Sequence, residues 1–166
     1  MRRLAMVMVL AGFAALGVAQ TGPAVQAKPN FAGTWKLNLA KSDLGQMAPN
    51  SETYTITQTA DEIKVAIASA SDNGPQNYTF SAKLDGTETP LPADAFPADS
   101  PFRLLSSKAE WLGSSLAITQ TTSFQDSKGT MTSTYTLSED GKVLTRATHM
   151  VFDQGAFDSK SVYDKA

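Results

Sequence analysis

Asn30 to Gly45 reads NFAGTWKLNLAKSDLG. From Gly33 its residues alternate: Trp35, Leu37 and Leu39 share one parity, Thr34, Lys36 and Asn38 the other. A helix gathers apolar residues at spacings of three and four; a spacing of two belongs to a half-buried strand. The same period runs through almost everything downstream. Candidate strands cover 33–39, 52–59, 62–69, 77–85, 104–111, 114–124, 129–138, 142–152 and 157–163. The connections carry turn residues: Asn73-Gly74-Pro75, Asp85-Gly86, Lys128-Gly129, Asp140-Gly141 and Gln154-Gly155. Glycine supplies positive φ there at little steric cost. TYTLSEDGKVLTRAT, residues 134–148, is the clearest hairpin, two alternating runs around Glu139-Asp140-Gly141-Lys142. No helical period stands out downstream of residue 30; at most, 40–48 forms a single turn.

Sorting the strands by parity separates an apolar face from a wet one. Ile63, Val65 and Ile67 oppose Glu62 and Lys64; Tyr78, Phe80, Ala82 and Leu84 oppose Asn77, Thr79, Ser81 and Lys83. Met131, Tyr135 and Leu137 oppose Thr130, Thr132, Thr134 and Thr136. An antiparallel sheet with one solvated side has this pattern, and threonine suits its pleated surface. Many sequential strands with short turns and no covering helix close into a barrel or fold into a sandwich. A barrel removes exposed edges. The expectation is an all-β, antiparallel up-and-down (meander) barrel of about eight to ten strands.

Upstream of this pattern, residues 1–27 resemble a secretory leader. Arg2 and Arg3 precede an apolar run from Leu4 to Val18, and AVQA at 24–27 offers small residues for cleavage after Ala27; Ala19 is the competing site. The apolar run is short for a membrane span. The expected mature domain is residues 28–166, a length that supports one core, exported to the periplasm or beyond. Arg2 and Arg3 are the leader's only charges, so the remainder has an excess of acid over base. Without a basic patch it is not expected to bind nucleic acid. The chain has no cysteine, which excludes disulfides, thiolate metal sites and a lipid-bearing cysteine.

Two stretches interrupt the rhythm. Residues 40–51 form a connection longer than a hairpin turn. Residues 86–103, GTETPLPADAFPADSPFR, contain Pro90, Pro92, Pro97 and Pro101, and proline at that density cannot serve a central ladder. This reads as an extended loop of functional length. Its Phe96 and Phe102 either cover a barrel end as a lid or merely tack the loop down.

FAGTWKLNL, residues 31–39, resembles the opening strand of the lipocalin and calycin superfamily, whose Gly-x-Trp sits at the closed end of a barrel. Gly33 and Trp35 match that motif. The resemblance implies an arginine from a late strand lying across the indole, and Arg146 is the candidate; such stacking is worth about 0.5–2 kcal/mol. NFAGTWKLNLAKSDLG, WLGSSLAITQTT and LSEDGKVLTR together are similar to lipocalin-like proteins exported by bacteria, a group that brings no settled function. The second lipocalin signature, a Thr-Asp-Tyr turn, is missing, and the tail FDSKSVYDKA is too short for the helix packed on lipocalin barrels. Fatty-acid-binding proteins begin similarly but place two helices after the first strand, for which 40–51 is too short.

With the apolar parity inward, the barrel lining includes Trp35, Tyr54, Ile56, Tyr78, Phe80, Ile118 and Tyr135, while Gly33, Trp35 and Arg146 mark the barrel end. The same parity points Gln58, Gln120 and Arg146 inward. A mostly apolar interior with a few polar groups is typical of small-molecule pockets. Arg146 or a tyrosine hydroxyl could orient the head of a carboxylate-bearing amphiphile. The expected function is non-covalent binding or transport of a small apolar or amphiphilic molecule, with no cofactor and no metal. The alternative is a filled barrel working through its Thr-rich exterior and Pro-rich loop as an interaction module. A hydrolase or isomerase finds less support: His149 is the single histidine, Asp153 follows it closely, and no Gly-x-Ser-x-Gly elbow is present.

Overall fold

The computed structural model describes residues 28–45, 48–72, 74–92, 96, 100–124 and 127–166; the leader-like segment 1–27 lies outside them. Ten strands follow one another: β1 (Gly33–Leu37), β2 (Ser51–Gln58), β3 (Glu62–Ser71), β4 (Gly74–Lys83), β5 (Thr89–Pro90), β6 (Phe102–Leu112), β7 (Ser115–Phe124), β8 (Ser127–Leu137), β9 (Val143–Phe152) and β10 (Gly155–Lys165). The sheet order is β4-β3-β2-β1-β10-β9-β8-β7-β6-β5, antiparallel throughout. Consecutive strands pair except β4 with β5, and β1 joins the chain's two ends by pairing with both β2 and β10. The result is a nearly closed meander barrel. Its remaining seam lies between β4 and the β5–β6 pair. There the Ser107 hydroxyl donates to the Ser81 carbonyl, and among the described residues no backbone ladder crosses.

Alternation explains the core. Trp35, Tyr54, Ile56, Ile63, Val65, Phe80, Ala82, Leu116, Ile118, Tyr135, Leu144 and Tyr163 are buried on the inward parity, while Thr55, Lys64, Ala68, Thr130 and Thr136 face out. A β-bulge interrupts β6: Leu104 stands opposite Thr122 but Ser106 opposite Thr121. The extra residue, Leu105, is exposed, and the inward parity shifts from Leu104 to Ser107 and Ala109.

The structure moves several expected boundaries. The first strand stops at Leu37, and Leu39 leaves the apolar face to become 47% exposed. The cause is Asn38, which caps a 3-10 turn at Leu39–Lys41 by accepting from the Lys41 N–H at 3.2 Å. Its amide also donates to Asp164 at 2.6 Å. Gly74 and Pro75, expected in a turn, open β4 opposite Ser71 and Ala70; Asn73 lies outside the described residues. Lys128-Gly129 is likewise strand, between Thr122 of β7 and Phe152 of β9. Gly129 is required there because a Cβ would run into the Phe152 ring. Within the Pro-rich stretch 86–103, Thr89 and Pro90 form the short edge strand β5 opposite Ser107 and Ser106. Pro90 occupies an edge, where a missing N–H costs no central ladder bond. No helix among the described residues is long and apolar enough to cross a membrane.

Candidate ligand-binding site

One end of the barrel is sealed by the segment ahead of β1. Phe31 is fully buried, stacks on Trp111 with ring centroids 6.1 Å apart, and meets Tyr135 edge-on at 6.4 Å. Three hydrogen bonds fix it: Trp35 Nε1 donates to the Phe31 carbonyl at 2.9 Å, the Phe31 N–H donates to Gln58 Oε1 at 2.9 Å, and Gln58 Nε2 donates to the Pro29 carbonyl at 3.1 Å. The cation over Trp35 is Lys165, 5.3 Å from the ring centroid. A Cβ on Gly33, whose φ is +142°, would come within 3.3 Å of the Lys165 side chain. The Gly-x-Trp therefore lies against the Phe31 segment, and its cation is supplied by the last strand. Arg146 is elsewhere.

Register places Arg146 on an inward rung with Ser161 of β10, Tyr135 of β8 and Leu116 of β7. Its guanidinium carbon lies 5.2 Å from the centroid of the Tyr54 ring. Nη1 donates to the Tyr54 hydroxyl and Nη2 donates to Ser161 Oγ at 3.2 Å. Glu52 Oε1 stands 3.9 Å from Nη2 and accepts from the Tyr163 hydroxyl at 2.6 Å. The rings of Tyr54 and Tyr163 are 4.8 Å apart. The Glu52 and Arg146 side chains are 12% and 16% exposed, so this is a largely buried ion pair walled by tyrosines. The Nε of Arg146 is buried without a partner among the described residues.

All four tyrosines of the chain serve this interior. Burial pushes the hydroxyls of Tyr54, Tyr78, Tyr135 and Tyr163 above their ordinary range, against the pull of Arg146. Burial opposes charge on Arg146 itself, but Tyr54, Tyr163, Tyr135 and Glu52 more than offset it and hold the pKa well above the usual value. At neutral pH the cluster thus sets a fixed Arg146 cation among protonated phenols.

At the other end, Phe96 of the Pro-rich stretch is buried. It stacks on Tyr78 at 4.7 Å and meets Phe102 edge-on at 6.2 Å. Between the two ends, Gln120 and Thr122 point inward from β7 and are 2% and 0% exposed. Gln120 Nε2 and Thr122 Oγ1 have no hydrogen-bond partner among the described residues. Ser133 and Thr148 pair with each other at 3.0 Å.

Every residue expected in the lining (Trp35, Tyr54, Ile56, Tyr78, Phe80, Ile118 and Tyr135) is on the inward parity of its strand. Phe31, Glu52, Ser161, Tyr163 and Lys165 were not expected at these positions; the fully inward alternation of Ser161 and Tyr163 was the available signal. Two clefts lie outside the wall. One, of about 810 Å³, runs along the outward side of β2–β4 past Thr53, Thr55, Lys64, Asn77 and Thr79 to Leu91 and Pro92. The other, of about 360 Å³, contains an exposed His149–Asp158 contact of 2.7 Å. Asp153, by contrast, accepts from Ser127 at 3.3 Å. His149 and Asp153 therefore do not form the pair that their closeness in sequence suggests.

No family model and no curated protein sequence matches the chain. Its fold is similar to that of solved structures. The zebrafish ileal bile acid-binding protein complexed with cholic acid aligns with a TM-score of 0.53 at 15% identity, covering 82% of this chain and 98% of that one. Secretory abundant heat soluble protein 4 from Ramazzottius varieornatus aligns with a TM-score of 0.48 at 14% identity, covering 85% and 99%. The first likeness, spanning nearly the whole neighbour, is one of fold: this chain is an antiparallel meander barrel like that protein.

Proposed function

We propose that the barrel binds a small apolar or amphiphilic molecule non-covalently between the Phe31 floor and the Phe96 end. The observation that carries this reading is the polar equipment of the interior. A barrel built only as a packed core has no use for inward Gln120 and Thr122 atoms left without partners among the described residues, each costing about 1–3 kcal/mol. A bound molecule can satisfy them while its apolar part rests on the aliphatic and aromatic wall. The zebrafish neighbour, a bile acid-binding protein, supports a barrel of this type holding an amphiphile. The leader-like residues 1–27 support such a function outside the cytoplasm. The inward side chains are nearly closed to water, so the ligand must enter by parting the wall. The seam between β4 and β6, lacking a ladder, is the line of least resistance.

A second reading has its own observation. The larger outer cleft joins the Thr-rich face of β2–β4 to Leu91 and Pro92 of the Pro-rich stretch, the surface an interaction module would present above a filled barrel. Titration with Nile red, an uncharged apolar dye, separates the two. Ligand binding predicts saturable, 1:1 fluorescence enhancement that is lost on unfolding. The interaction module predicts none.

A further inference from the structure

We infer that the ligand is an uncharged amphiphile whose hydroxyl or carbonyl oxygen is held by Gln120 and Thr122 on β7, and that the Arg146 cluster is not a carboxylate site. This rests on the ligand-binding reading above and narrows its chemistry. Arg146 has the composition of a carboxylate receptor, but Glu52 already stands 3.9 Å from its guanidinium, with the second side of the pair closed by Tyr163 at 2.6 Å. The ion pair is neutral as a unit. A ligand carboxylate added beside it would bring an uncompensated negative charge into a low-dielectric interior and face Glu52, both unfavourable.

The open hydrogen-bonding capacity lies further along the barrel. Leu116 shares the rung of Arg146 and Tyr135; Gln120 is four residues farther along β7, about 13 Å at strand rise. Around Gln120 the rung holds Ser107, Met131 and Met150, and around Thr122 it holds Leu104, Gly129 and Phe152. No charged side chain stands on either rung. Ser107 is occupied, donating to Ser81 across the seam. Gln120 Nε2, a donor, and Thr122 Oγ1, a donor and acceptor, are left facing the interior together. A hydroxyl or carbonyl oxygen satisfies both without bringing charge, and the flexible methionines beside them adapt to the attached apolar body.

The experiment is displacement of Nile red from the full chain by 1-dodecanol, dodecanoate and dodecane, repeated with Gln120→Leu, Thr122→Val and Glu52→Gln. In the parent protein, dodecanol is expected to displace the dye at about one-tenth the concentration that dodecanoate needs. Gln120→Leu and Thr122→Val remove unpartnered polar atoms and are expected to fold; each should weaken dodecanol several-fold, towards dodecane, without weakening dodecane. Glu52→Gln keeps an acceptor for Tyr163 but frees the Arg146 charge, so it should strengthen dodecanoate about tenfold. Dodecanoate binding the parent as well as dodecanol overturns the inference. So does dodecanol affinity unmoved by both β7 substitutions, in which case Gln120 and Thr122 hold only water. Failure of Nile red and all three competitors to bind the parent overturns the ligand-binding reading itself, a result distinct from binding without the expected preference.

Discussion

Arg146 shows how much one side chain's neighbours decide about its role. On sequence it is an inward arginine suited either to cover Trp35 or to grip a carboxylate. In the barrel, the Tyr54 ring and hydroxyl, Ser161 and Glu52 occupy most of its surface. The surrounding phenols supply a direct check. Their folded pKa values are raised, so the stabilisation of the protonated forms is complete below the unfolded value of 10.0 and is lost as pH rises through the folded values. Absorbance at the phenolate band should therefore stay flat past pH 10 and then rise for all four tyrosines together with unfolding. A tyrosine titrating near pH 10 in the folded protein would contradict the burial of the cluster. Beside Tyr135 of this cluster, Phe31 is the residue whose loss should be felt most. Phe31→Ala removes a fully buried ring from between Trp111 and Tyr135, and should cost about 3–5 kcal/mol in urea unfolding. An effect under about 1 kcal/mol would mean that the segment ahead of β1 does not seal the floor.

At the level of elements, Gly129 and Asp164 govern two junctions. Gly129→Ala forces a methyl into the Phe152 ring between β8 and β9, and should destabilise by about 1–3 kcal/mol through overpacking. Asp164 accepts from Asn38 at 2.6 Å and from Lys41 at 3.0 Å, tying the 3-10 turn to β10. Those bonds lower its carboxyl pKa, so their stabilisation is present above the unfolded value of 3.8 and disappears as pH falls through the folded one. Amide protection across Leu39–Ser42, taken relative to the intrinsic exchange rate at each pH, should fall in acid in the parent protein and lose that pH dependence in Asp164→Asn. The strand pattern itself was legible in sequence, because one period-two code with glycine turns specifies both a strand and its inward face. What alternation could not reveal was where that code is broken. The bulge at Leu105 shifts β6 by one residue, Asn38 ends β1 early, and Gly129 is a strand glycine placed for a neighbouring ring rather than for a turn. The inward face of each strand followed from parity alone. The partners within it did not: Glu52 and Tyr163 are 111 residues apart, and Lys165 reaches Trp35 only because β1 and β10 are neighbours.

The molecule as a whole is a wall closed by ladders everywhere but at one seam, floored by Phe31 and topped by Phe96 at Tyr78. Its interior combines a tight apolar core with an ion pair and with polar atoms, those of Gln120 and Thr122 among them, that have no partner among the described residues. On the proposed reading, a bound molecule completes those hydrogen bonds and adds stability by mass action. Native mass spectrometry of the protein purified from its own cells tests this most directly. Our account predicts a reproducible mass excess of one small, uncharged molecule per chain, absent after denaturation. A bare chain mass, together with no uptake of Nile red, would contradict it and leave a filled barrel acting through its outer face.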